Sequence, residues 1–97
     1  MLLNSICISI LNDLYKKHIN PKWKPSIDNY GLIETLQTPK VQETMSYIYE
    51  LEILGLVQFE RTPCQQCDTI HPLFKNSCIA IWWEEIRITY KGIELLK

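Results

Sequence analysis

The sequence predicts an α+β domain, mainly α, in which three helices precede a two-stranded β-hairpin and a short helix closes the chain. Three observations carry this. Apolar residues recur at helical spacing through the first half, two runs rich in β-branched and aromatic residues follow Gly55, and a stretch of thiol and turn-forming residues joins those runs. The composition, 46% hydrophobic and 22% charged, is that of an ordinary globular protein, and 97 residues make one domain, 1–97, with a modest core.

The first helix spans about 2–18, where Leu2, Leu3, Ile6, Cys7, Ile10, Leu11, Leu14 and Tyr15 keep i, i+3, i+4 spacing. Ile8 and Ile19 widen its apolar arc to roughly 260° at about 100° per residue, more than one surface stripe. Such a helix is either central to the core or one side of a homodimer, with Ile8 the candidate interface residue. Cys7 reads as a small core residue. The opening MLLNSICISIL lacks a basic flank and a cleavage site and is too short for a bilayer span, so a cytoplasmic protein with no membrane partner is expected.

Pro21 and Pro25 stop the helix and leave a basic loop, 19–26. Lys16, Lys17, Lys22 and Lys24, interleaved with His18 and Trp23 and free of acids, read as a phosphate-contacting patch with an aromatic platform, or as the solvated cationic end of a helix. Ser26 or Asp28 opens a second, weaker helix through Leu32, Ile33 and Leu36. Thr38 is an N-cap and Pro39 a first-turn residue for a long helix over 39–54, ending at Leu54 and Gly55. Its buried stripe is Val41, Thr44, Met45, Ile48 and Leu51, which leaves Lys40, Gln42, Glu43, Ser46, Tyr47 and Glu50 facing outward.

LVQFERT and SCIAIWWEEIRIT read as the two strands. Ile79, Ile81 and Trp83 share one parity and Ile86 and Ile88 the other, so the second strand must bulge or break near Glu84 and Glu85. Of the adjacent Trp82 and Trp83, regular geometry buries one and exposes the other. Trp82 is the candidate protein-contact anchor; aromatic cover of the core is the other reading. Thr89 caps a final helix, 90–97.

The stretch CQQCDTIHPLFKNSC, 64–78, places Cys64, Cys67, His71 and Cys78 at the joint of the two strands. Two thiols separated by two residues can face one tetrahedral ion, and a hairpin returns the other two groups, so these four form a candidate zinc set. With four protein ligands the zinc would be structural. In a reducing compartment clustered thiols favour metal over disulfide, yet free thiols, or a Cys64–Cys78 disulfide, remain open.

YELEILGLVQFER, followed some thirty residues later by IRITYKGIELLK, resembles winged helix-turn-helix regulators of the MarR and PadR kind. Leu54, Gly55, Leu56 and Val57 match the end of the recognition helix there, and Ile88, Thr89, Lys91, Gly92, Leu95 and Leu96 match the exit from the wing. The resemblance implies a recognition helix at 39–54, a wing at 56–89 with the cysteine stretch as its tip, and a DNA-binding transcriptional regulator. On that reading Lys22, Lys24, Lys40, Gln42 and Ser46 would contact DNA.

A net charge of −1 gives no overall attraction to nucleic acid, and Glu43 with Glu50 would oppose phosphate. A second function therefore stands beside the first: a non-catalytic interaction subunit or adaptor that docks a protein through its acidic helix face and the tryptophan-bearing wing. Neither a phosphate loop nor a serine elbow nor a zinc-protease motif is present, so no enzyme is expected.

Overall fold

The computed structural model describes residues 3–23 and 39–97. The expected second helix, its start at Ser26 or Asp28, the Thr38 cap and Lys24 lie outside the described residues. Among those described, the order is α1 (Ser5–Ile19), α2 (Pro39–Ile53), β1 (Val57–Phe59), β2 (Cys64–Gln66), β3 (Cys78–Ile81), a 3₁₀ turn (Trp83–Glu85), β4 (Ile86–Ile88) and α3 (Tyr90–Leu96). The chain is α+β, with two antiparallel two-stranded ladders.

Helix α1 begins where the side chain of Asn4 accepts the Cys7 N–H at 2.8 Å and satisfies one of the donors every helix start leaves open. Cys7, Ile10, Leu11 and Leu14 are buried on it, a single stripe rather than a full apolar circumference. In α2 the whole expected stripe is buried, from Val41 and Thr44 through Met45 and Ile48 to Leu51. The helix ends on Gly55 at φ 79°, with Leu56 N–H bonded to the Leu51 carbonyl and Gly55 N–H to that of Glu52. This is the Schellman arrangement, and its left-handed residue suits glycine.

β1 pairs with β4, Val57 opposite Ile88 and Phe59 opposite Ile86. β2 pairs with β3, Cys64 opposite Ile81, with a register irregularity between Gln65 and Gln66. The two ladders are one long hairpin interrupted where the parity of the second run changes. There the 3₁₀ turn replaces extended chain, and Glu60 N–H to Glu85 and Trp82 N–H to Pro63 carry the pairing across the gap. The core sits between α1, α2 and the inner face of this hairpin, drawing Leu56, Val57, Ile81, Trp83, Ile86 and Ile88 from the strands and their joints.

The two motifs at either end of the hairpin meet. The Thr89 side chain accepts the Gly92 N–H at 3.1 Å as the cap of α3, and its hydroxyl donates to the Gly55 carbonyl at 2.6 Å. Lys91 Nζ donates to the Leu54 carbonyl at 3.0 Å. Gly92 packs so closely that a Cβ there would overlap the Leu56 carbonyl oxygen and lie 2.8 Å from Ile88 Cγ1.

Candidate functional site

The expected contact surface is α2, and the hairpin decides how much of it faces solvent. β3 packs along α2, and the loop before it adds a specific tie: Asn76 Nδ2 donates to the Gln42 carbonyl at 2.8 Å, while its Oδ1 accepts the Cys78 N–H at 3.1 Å. Gln42, expected to face outward, is therefore only 4% exposed. The reason is that it lies about 100° around the helix from Val41, on the flank the hairpin covers. Tyr49 shares that flank; its hydroxyl sits 3.7 Å from Cys64 Sγ and 3.9 Å from Cys78 Sγ, and its ring meets Phe59 edge-on.

What remains of α2 toward solvent is a narrow strip. Glu43, Ser46 and Tyr47 are partly exposed on it and Glu50 is exposed, with Lys40 at its N-terminal end and Glu52 and the 80% exposed Ile53 at its C-terminal end. The Ser46 hydroxyl donates back to the Glu43 carbonyl, one turn earlier, instead of projecting as a free donor. Two carboxylates, a phenol and a satisfied hydroxyl form a face that repels phosphate and suits a cationic partner.

At the tip the structure brings two of the four expected zinc ligands together: Cys64 and Cys78 form a disulfide. The other two serve the turn. Cys67 donates its thiol to the Thr69 carbonyl at 3.4 Å, and His71 Nδ1 accepts the N–H groups of Leu73 and Phe74 at 3.1 and 3.3 Å. The His71 ring also lies 4.8 Å from that of Phe74, tilted by 32°, and Lys75 takes φ 60° to close the turn. Among the described residues no three metal-binding side chains are gathered around one point.

The basic end of α1 is partly drawn inward. Lys17 Nζ donates to the carbonyls of Trp83 and Ile86 at 2.7 and 2.9 Å, where the 3₁₀ turn ends and β4 begins. Burial, and then the Arg87 guanidinium, hold its ammonium below the ordinary lysine value, against the opposing pull of Glu84, Glu60 and Glu85. Lys16 lies over the Trp23 ring at 5.9 Å, which occupies the aromatic platform from within the chain. Lys22 is exposed.

Trp83 is buried and Trp82 is 39% exposed, one of the pair inward and one outward as expected, though at the start of the 3₁₀ turn rather than within a regular strand. Ile8 is half-buried and Ile6 exposed on α1. A cleft of about 470 Å³ opens between the N-terminal ends of α1 and α2, lined by Ser5, Ser9, Asp13, Lys40, Glu43 and Thr44. Among the described residues that line it there is neither thiol nor imidazole, so none of them pairs a nucleophile with a histidine base there. Among the described residues no helix is long and apolar enough to cross a membrane.

Sequence reasoning missed Tyr49 and Asn76. Tyr49 carried a signal, since it falls beside the buried stripe on the same flank as Gln42. Asn76 carried none, because its contact with α2 depends on how the hairpin folds back. Comparison with family profiles, curated proteins and solved structures finds no match to this chain.

Proposed function

We propose that this chain is a non-catalytic interaction module of winged-helix type, which docks a basic protein segment on the exposed strip of α2. The observation that carries the reading is the surface left on that helix: with Gln42 covered and the Ser46 hydroxyl satisfied, Glu43, Tyr47 and Glu50 define what a partner meets. An aromatic between two carboxylates offers one apolar anchor with flanking charge, and lysine or arginine on the partner supplies the complement. The winged-helix assignment is supported by the element order and by the clasp joining Leu54 and Gly55 to Thr89 and Lys91. Trp82 is a second exposed aromatic, on the strand side, for the same class of partner.

The reading as a DNA-binding regulator rests on Lys22 and Lys40, which are exposed, and on Lys24. One experiment separates the two. Fluorescence anisotropy with a labelled Lys/Arg-rich peptide and with labelled duplex DNA, each competed by salt, should give saturable binding of the peptide and only weak, nonspecific binding of the duplex. Glu43→Lys with Glu50→Lys should weaken the peptide about tenfold, roughly 1.4 kcal/mol. Tight duplex binding that the double variant leaves unchanged returns the assignment to DNA.

A further inference from the structure

We propose that the outer edge of β4 receives an extended acidic peptide, whose main chain pairs with Ile88 and whose carboxylates meet Lys17, His18 and Arg87. Glu60 N–H bonds to the Glu85 carbonyl and Thr89 N–H to the Leu56 carbonyl, and both bonds lie in register just past the ends of the β1–β4 ladder. In an antiparallel pair the bonded residues alternate, so Arg87 turns its N–H and carbonyl toward β1 while Ile86 and Ile88 turn theirs away. At Ile86 both outward groups are used: the N–H donates to the Trp83 carbonyl, and the carbonyl accepts Lys17 Nζ at 2.9 Å. At Ile88, among the described residues, neither finds a partner. Ile88 is only 4% exposed, and main-chain groups so placed are rarely left unpaired.

The edge has room beside it. A cleft of about 230 Å³ runs between β4 and the end of α1, with Leu14, Pro21 and Ile86 as apolar walls and Lys17, His18 and Arg87 as its charged groups. Among the described residues that line it there is no carboxylate. Arg87 Nε pairs with Glu60 at 2.8 Å, which leaves the terminal N–H groups of the guanidinium for a ligand. Lys17 gives two ammonium N–H groups to Trp83 and Ile86 and keeps another. After burial, Arg87 is what most holds the Lys17 ammonium below its ordinary value, against Glu84, Glu60 and Glu85, so the two cations act on each other. A carboxylate set between them offsets that repulsion.

An N–H and a carbonyl open on one strand residue match the reciprocal pair of an extended chain, the mode by which peptides add to a sheet edge. Alternate side chains of such a chain share a face, so acids at every second position can meet the cations together. This surface is separate from the α2 strip and opposite to it in charge, so it stands or falls independently.

The test uses a labelled peptide of alternating Glu and Val, capped at both ends, two versions of it N-methylated at the Glu or at the Val positions, and a Lys–Val counterpart. Fluorescence anisotropy reads affinity, and amide hydrogen exchange reads Ile88. The Glu–Val peptide should bind saturably and slow exchange of the Ile88 N–H, which the Lys–Val peptide should leave unchanged. Successive N–H groups of a strand point to opposite edges, so one N-methylated version should bind at least about tenfold more weakly and the other nearly as well as the parent. Arg87→Gln, with native circular dichroism, should weaken the Glu–Val peptide by about tenfold, as for a lost hydrogen bond between charged groups. Absence of saturable binding, equal affinity of the parent and both N-methylated peptides, or Ile88 exchange unchanged at saturation would overturn the proposal.

Discussion

The ammonium of Lys91 donates to the carbonyl of Leu54 across 37 positions of sequence, so the start of α3 closes the end of α2. A helix end leaves its last carbonyls open, and here a side chain, the Thr89 hydroxyl and the Schellman turn share them. The hairpin between the two motifs is thereby anchored at both of its roots.

Breaking this clasp should cost stability in proportion to what is lost. Lys91→Met removes one exposed hydrogen bond and should cost about 0.5–1.5 kcal/mol. Gly92→Ala places a methyl against the Leu56 carbonyl and Ile88, and should cost more, about 1–3 kcal/mol. Urea denaturation followed by tryptophan fluorescence measures both; a Gly92→Ala variant as stable as wild type would contradict the packing described.

Lys17 should act as an internal strut. Lys17→Met leaves the carbonyls of Trp83 and Ile86 without their charged donor, at a cost of about 1–3 kcal/mol. Its ammonium is held below the ordinary value of 10.5, chiefly by burial. Between the folded and unfolded pKa the unfolded chain binds more protons, so this residue's contribution makes stability rise with pH in the interval just under 10.5. Subtracting the pH profile of Lys17→Met from that of wild type should isolate the rise; a falling or flat difference refutes the shift.

The disulfide should stabilise the hairpin and leave the helices largely to themselves. It closes a loop with a sequence separation of 14, for which the chain-entropy relation gives about 3 kcal/mol. Cys64→Ala with Cys78→Ala should lose about that amount while helical circular dichroism persists. Elemental analysis of the oxidised protein should find no stoichiometric zinc, because the bond uses two of the four sulfur and imidazole groups. One equivalent of zinc, with Cys64 and Cys78 both free, would restore the four-ligand reading.

The elements governed by local chemistry were legible in the sequence. The stripe from Val41 to Leu51, the stop at Gly55, the Thr89 cap and the break at Glu84 and Glu85 each follow from spacing or from one residue's backbone preference. Gln42 was not legible, since a polar residue beside an apolar stripe reads as outward until a hairpin folds over it. The cysteine stretch was legible as chemistry and not as geometry. Spacing shows that four groups are available; the irregularity at Gln65 and Gln66, and the backbone bonds taken by His71, decide which of them meet.

Ile8, half-buried on α1, addresses self-association. If α1 forms a homodimer, Ile8→Lys should convert it to a folded monomer, because the change falls on both copies of an isologous contact. Light scattering of wild type at rising concentration decides the matter first: a constant monomer mass removes the dimer.

On the proposed function, the strip Glu43, Tyr47 and Glu50 receives a cationic protein segment. Amide chemical shifts of isotope-labelled protein, titrated with a Lys/Arg-rich peptide and separately with duplex DNA, test it residue by residue. Peptide-induced shifts should concentrate between Lys40 and Ile53 and need about tenfold more peptide after charge reversal at Glu43 and Glu50, with DNA leaving those residues unmoved. Saturable shifts at Lys22 and Lys40 on adding duplex, with no response of the strip to peptide, would contradict it.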